Sequence, residues 1–271
     1  MISLLDDEDE NIIAMISKKI ATMGEEIIPF LETAWETSFN PLFQQRIEDL
    51  THSVQYEQVK RRLAEWYATG SEDLLEGMWI VATYQFPELD QEKLRQDIEQ
   101  IYYDTWLEFK PDLHPFDQVK ILNSVFFYKL KFSGNHKNFH SPSNSFINSV
   151  LESRRGNPIT LSVIYMLIAR RLKLPIFGVN LPNLFVLVYD DPAITPFYIN
   201  TFNRGLIFTR DDIANYIAEL KLTPQKTFFE PCSNLDIIRR VLRNLINAYE
   251  KAGEKVKNEE VMRLMAIIKD D

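Results

Sequence analysis

Residues 154–190, RRGNPITLSVIYMLIARRLKLPIFGVNLPNLFVLVYDD, constrain this chain more than any other stretch. Asn157 and Pro158 read as the N-cap and first residue of a helix. An asparagine side chain can accept an orphan N–H there, and proline has none to leave unpaired. From 159 to 172, Ile159, Leu161, Val163, Ile164, Met166, Leu167, Ile168 and Leu172 leave almost no polar face. A surface helix shows one apolar stripe, so this one is expected to be wrapped by protein on most sides. Leu174-Pro175 ends it. Residues 176–179 and 185–189 are β-branched and aromatic runs separated by a Pro-Asn turn, which predicts two buried strands.

The rest of the chain reads as helix. There are only eight glycines in 271 residues. Ile12, Ile13, Ile16 and Ile20 fall on one helical face, Gly24 breaks it, and Ile27, Ile28, Leu31 and Trp35 begin another. Residues 39–69 and 71–86 predict further helices, the latter capped by Ser71 and stopped by Pro87. Leu94, Ile98, Ile101, Tyr102 and Trp106 repeat at helical spacing after that. Residues 211–220 predict a short helix and 234–251 a longer one, ended by Gly253. Residues 259–268 would fold back as its antiparallel partner. The expected fold is α+β and predominantly helical, with a small antiparallel sheet. The expected division is residues 1–110 as a helical region, 111–225 as a core, and 226–271 as a helix pair docked on that core.

The order helix, strand, tight turn, strand, further strand resembles the core of the transglutaminase-like, papain-like proteins. More specifically, RRGNPITL, then RLKLPIFGVNLP, then NTFNRG resemble the SirB1 family of that superfamily, over about residues 132–220. The N-terminal segment through Trp35 is similar to one HEAT-like helix pair, and the C-terminal pair is TPR-like. Active members of the wider group carry a Cys at the start of the central helix, where the helix N-terminus favours thiolate. A His on the next strand serves as base and an Asp beyond it orients the imidazole. The resemblance puts the Cys position at or next to Pro158, the His position at Leu184 and the Asp position at Asn200. None of these side chains can act as nucleophile, base or carboxylate. The resemblance therefore implies a protein that has lost the triad and is not an enzyme. Asn157, Asn183, Phe185, Arg154 and Arg155 are the expected neighbours of the vestigial site, in a groove inherited from the fold.

Other chemistry finds little footing. His136 and His140 are four apart, a spacing that suits a metal on a helix, but they stand in a polar stretch between Gly134 and Pro142 that reads as loop. Cys232 has no His near it in sequence to activate it. Arg154, Arg155, Arg170, Arg171, Arg239, Arg240 and Arg243 are candidates for an anion patch, with solvated charge as the plainer reading. Trp35, Trp66, Trp79 and Trp106 recur at helical spacing and are expected in the core. Asn144, Ser145, Ser162 and Asn200 offer hydroxyls and amides for a different chemistry, a hydrolase or amide-transfer site in the same cleft, but no suitable base stands beside them. No nucleotide, hydrolase or zinc-protease motif occurs.

Composition bounds the partners. A net charge of −9 speaks against a nucleic-acid surface. The most apolar run, 161–169, is far short of the ~20 residues that span a bilayer. Residues 1–10 are acidic where a signal peptide is basic and then apolar. A single cysteine suits a reducing compartment. The expectation is a cytoplasmic protein with no cofactor and no metal, binding an unknown protein or peptide and neither nucleic acid nor membrane.

Overall fold

In the computed structural model, which describes residues 1–269, polar caps start most helices. Helix α1 (Glu10–Ala21) begins at Asp9, whose carboxylate accepts the Asn11 N–H at 2.8 Å. Gly24, at φ 71, allows the turn into α2 (Ile28–Thr37), which carries a proline in its first turn. Asn40 caps the 28-residue α3 (Pro41–Ala68). The cap of α4 (Leu74–Thr83) is Asp73, which accepts the Glu76 N–H at 3.1 Å, and not Ser71. Gly70 and Ser71 form a left-handed corner at φ 93 and 57, so Ser71 is spent on the turn. Helix α5 (Gln91–Trp106) starts at Asp90, and α6 (Pro115–Asn123) continues into a π-helical turn over Ser124–Lys129.

Strand β1 (Ser133–Gly134) pairs in parallel with β2 (Arg155–Gly156), and α7 (Ile147–Ser153) lies between them in sequence. Helix α8 (Pro158–Arg171) follows at once. The main sheet is antiparallel in chain order: β3 (Ile176–Leu181), β4 (Leu184–Tyr189), β5 (Phe197–Asn200) and β6 (Leu206–Phe208). Leu181 pairs with Leu184 across a two-residue Pro-Asn loop, and Asn183 takes a positive φ of 58 that asparagine tolerates better than most residues. Helix α9 (Arg210–Glu219) and helix α10 (Asn234–Ala252) both open on capping boxes, Thr209 with Asp212 and Ser233 with Asp236. Gly253, at φ 75, ends α10, and α11 (Lys255–Ile267) returns along it.

As its unbroken apolar run requires, α8 is enclosed. Ile159, Leu161, Val163, Ile164, Tyr165, Met166, Ile168 and Ala169 are all buried. One face of the sheet, carrying Ile176, Phe185, Leu187, Tyr189 and Ile199, packs toward it. The opposite face, carrying Val179, Leu181, Val186, Val188 and Tyr198, packs on Ile213 and Ile217 of α9 and on Phe229. Each fully buried side chain of this size contributes roughly 1.5–3 kcal/mol.

The core is divided differently from the expected cuts at 110 and 225. A single cluster joins Tyr56, Leu63, Trp66 and α4–α5 to α8, the sheet, α10 and α11. The separate N-terminal cluster consists of Leu5, Ile16, Ile20, Ile27 and Leu31 packed on Phe43, Ile47, Leu50 and Val54. Helix α3 therefore belongs to both, and the break falls near its middle. Of the tryptophans expected in the core, Trp66 is buried and Trp79 half-buried, while Trp35 and Trp106 are exposed. Among the described residues no helix is long and apolar enough to cross a membrane.

A candidate functional cleft at the start of helix α8

The N-terminus of α8 opens into a cavity of about 340 Å3. Asn157, Pro158 and Ile159 form its floor, and Asn183 and Phe185 come from the β3–β4 hairpin. Arg240, Asn244, Asn247 and Lys251 come from α10, while Phe139, His140 and Ser145 come from the loop before α7. Asn157 holds the floor rigid. Its side-chain oxygen accepts the Thr160 N–H at 2.9 Å and its amide donates to Ser145 Oγ at 3.0 Å. Both ends of that side chain are thus committed to structure.

Of the three positions assigned by resemblance, only Pro158 lines this cavity. Leu184 points to the other side of the sheet, where it packs with the α9 cluster. Side chains alternate along a strand, so the β4 residue aimed at α8 is its neighbour Phe185. Asn200 shares the face of Tyr198 by the same alternation, and its side chain caps the following turn, accepting the Asn203 N–H at 3.1 Å. Continuing the β4–β5 register, in which 187 faces 199 and 189 faces 197, sets position 185 opposite 201. Thr201 is fully buried there. Its Oγ1 lies 2.8 Å from Ser162 Oγ and 3.4 Å from the Pro158 carbonyl. Leu184 and Asn200 thus face away from α8, and their neighbours Phe185 and Thr201 face toward it, because one residue on a strand reverses the face.

Phe185 needs room that only glycine gives. A Cβ on Gly178 would stand 2.6 Å from the Phe185 ring, so the ring lies directly over that strand. Beside it the half-buried Arg240 guanidinium donates to Asn180 Oδ1 at 2.8 Å and to the Leu181 carbonyl at 3.2 Å. Burial and the neighbouring Arg243 lower its pKa. At the rim, Lys251 Nζ sits 2.9 Å from His140 Nε2. Among the described residues, no hydroxyl lining the cavity bonds to a carboxylate or an imidazole.

The remaining candidates are dispersed. Arg154, in a left-handed conformation at φ 59, lays its guanidinium over Phe132, and Arg155 lines a different hollow. Arg170 bonds Asn234 and Arg171 bonds Glu99, at the far end of α8, so the arginines do not gather into one patch. His136 packs at a tilt against Phe202 while His140 faces the cleft, and no group of three metal-ligating side chains occurs among the described residues. Cys232 lies beside β3, its N–H donating to the Gly178 carbonyl at 2.8 Å. Burial, with Asp236 nearby, pushes its thiol up to about 12.

These features have relatives. A model of the transglutaminase-like superfamily matches residues 92–243, from α5 into α10, and the chain belongs to that superfamily. It is 30% identical over 191 residues to a UPF0162 protein of Xylella fastidiosa, covering 63% of this chain and 62% of that one. A UPF0162 protein of Vibrio cholerae is 29% identical over 83 residues, 31% of each chain. F-box only protein 21 of Homo sapiens is 27% identical over 139 residues, 49% of this chain and 22% of its own. The chain thus spans less than two thirds of the curated relatives it matches. No solved structure matches it.

Proposed function

We propose that this protein is a SirB1-like, non-catalytic member of the superfamily that holds a protein or peptide segment in the cleft at the start of α8. In this reading the N-terminal pair is HEAT-like, the α10–α11 pair TPR-like, and the protein works in the cytosol without a cofactor. The observation that carries it is the trio facing the helix N-terminus: Pro158, Phe185 and Thr201. A proline, a phenyl ring and a hydroxyl already engaged with Ser162 supply neither a nucleophile with its base nor a carboxylate to orient one. The walls supply what recognition uses instead. Asn183, Asn244 and Asn247 offer amides for a peptide backbone, and Phe185 offers an apolar surface.

The test is a defined random-heptapeptide mixture incubated with pure protein, with bound and free fractions read by mass spectrometry. The reading expects an enriched bound set, recovered chemically intact, and lost when Asn247→Trp fills the cleft. Cleaved or deamidated products that depend on the protein would refute it, as would an enriched set indifferent to Asn247→Trp.

A further inference from the structure

A second hollow of about 350 Å3 adjoins the cleft and carries one sign of charge. Three separate segments build it: residues 133–137, Arg155, and residues 202–204. Lys137, Arg155 and Arg204 line it together with His136, and no carboxylate does. Among the described residues, none of the three cations has an ion-pair partner. That is notable in a chain of net charge −9, where carboxylates outnumber cations everywhere else on average. Like charges held close without counter-charge cost free energy, and an anion relieves that cost.

The hollow and the cleft share a wall. Phe139 lines the cleft, and its ring meets Phe202 of the hollow edge-on at 5.7 Å between centroids. The wall is fixed from behind, because Phe202 lies flat on Gly134, where a Cβ would stand 2.6 Å from the ring. Across the pair, five cationic side chains (Lys137, Arg155, Arg204, Arg240 and Lys251) face a single carboxylate, Glu250. Arg240 is committed to Asn180 and Leu181, so the cations open to a ligand lie mainly in the hollow and at the Lys251 rim.

We infer that the segment bound by this protein is an acidic peptide, its carboxylates held by Arg155, Arg204 and Lys137 while adjoining residues cross the Phe139–Phe202 wall into the cleft. The inference rests on the peptide-binding reading of that cleft. A peptide with a few carboxylates meets only the basic stretch. A nucleic acid, charged at every residue, would run on over the acidic remainder of the surface.

Fluorescein-labelled octapeptides of alternating Glu and Ala, Gln and Ala, or Lys and Ala, together with a twelve-residue oligothymidylate, are titrated and followed by anisotropy. The Glu peptide is expected to bind about tenfold or more tighter than the Gln peptide near 50 mM salt, with the gap closing toward 0.5 M. Arg155→Glu with Arg204→Glu, both exposed positions, should erase the gap and leave the melting temperature unchanged. Equal affinities for Glu and Gln peptides, lost with Asn247→Trp, overturn the acidic preference and leave the cleft reading standing. Binding of no peptide at all overturns both. A preference that survives the double charge reversal, or an oligothymidylate bound more tightly than the Glu peptide, also overturns the inference.

Discussion

Glu260 on α11 ties the C-terminal pair to the N-terminal half, and its replacement has a calculable cost. The side chain is 11% exposed. One carboxylate oxygen accepts the Tyr84 O–H at 2.7 Å, the other lies 2.9 Å from His52 Nε2, and the backbone carbonyl accepts the Tyr56 O–H at 2.9 Å. Glu260→Gln keeps the shape and an acceptor for Tyr84 but removes the charge, which reduces a charge-assisted bond of roughly 1.5–3 kcal/mol to one of about 1. A loss of about 1–2 kcal/mol is expected. Glu260→Ala strands the buried Tyr84 hydroxyl, at about 1–3 kcal/mol, and adds the packing loss of two methylene-sized groups, giving roughly 3 kcal/mol. Tyr84→Phe alone leaves the carboxylate with His52, so the double-mutant cycle between Glu260→Gln and Tyr84→Phe should return a coupling of about 1 kcal/mol. The assay is urea unfolding at pH 7, with intrinsic fluorescence and circular dichroism superimposed. One shared transition with unchanged slope is expected, because Tyr56, Tyr84, Tyr249 and Val261 belong to one cluster. A Glu260→Ala cost below ~0.5 kcal/mol, or a separate early transition, would refute the reasoning.

Three further outcomes follow from the same chemistry. Tyr56 and Tyr249 are raised to about 12 and Tyr84 is raised too, each chiefly by burial, with the Glu260 charge contributing. Because folding raises these pKa values, the unfolded chain loses its protons first above pH ~10, and stability should fall by about 1.4 kcal/mol per pH unit for each tyrosine. Alkaline melting curves check this, and a flat melting temperature from pH 9.5 to 11.5 contradicts it. Cys232, pushed up to about 12, should resist iodoacetamide at pH 8 in the native protein and react on unfolding; native labelling at the rate of a free thiol contradicts its burial. Ser162→Ala should cost about 1 kcal/mol by leaving the buried Thr201 hydroxyl only its long 3.4 Å bond to the Pro158 carbonyl, while adding Thr201→Val should recover part of it. Additive losses in denaturant midpoints would contradict that pairing.

The buried helix and the strands were legible because their apolar runs admit few alternatives. The N-terminal pair was legible for the same reason, with Gly24 marking the turn. What could not be read was which face of the sheet each strand residue occupies. Both faces are covered, one by α8 and the other by α9, so Leu184 and Phe185 are equally apolar and the two-residue period is silent. Asn200 and Thr201 were indistinguishable on the same grounds. Periodicity likewise gives the apolar stripe of α3 and α5 but not its cover, so the sequence does not show that residues 56–110 share a core with α8 and the sheet. The basic hollow was invisible for a different reason. Its cations stand at 137, 155 and 204; only Arg155 belongs to an arginine pair in sequence, its neighbour Arg154 turns to Phe132, and the pair at 170 and 171 lies about 20 Å along the helix from Pro158.

In the proposed reading Pro158, Phe185 and Thr201 stand at the places of a thiol triad and carry none of its groups. The most direct test restores two of them and measures the thiol pKa from the pH dependence of iodoacetamide alkylation, in the Cys232→Ser background. The thiol introduced by Pro158→Cys should titrate lower by about one unit or more when Phe185→His is added, as a thiolate beside an imidazolium does. Adding Leu184→His instead should leave it unmoved, since that side chain faces α9. A shift with Leu184→His and none with Phe185→His would contradict the assignment of faces, and with it the reading of this cleft.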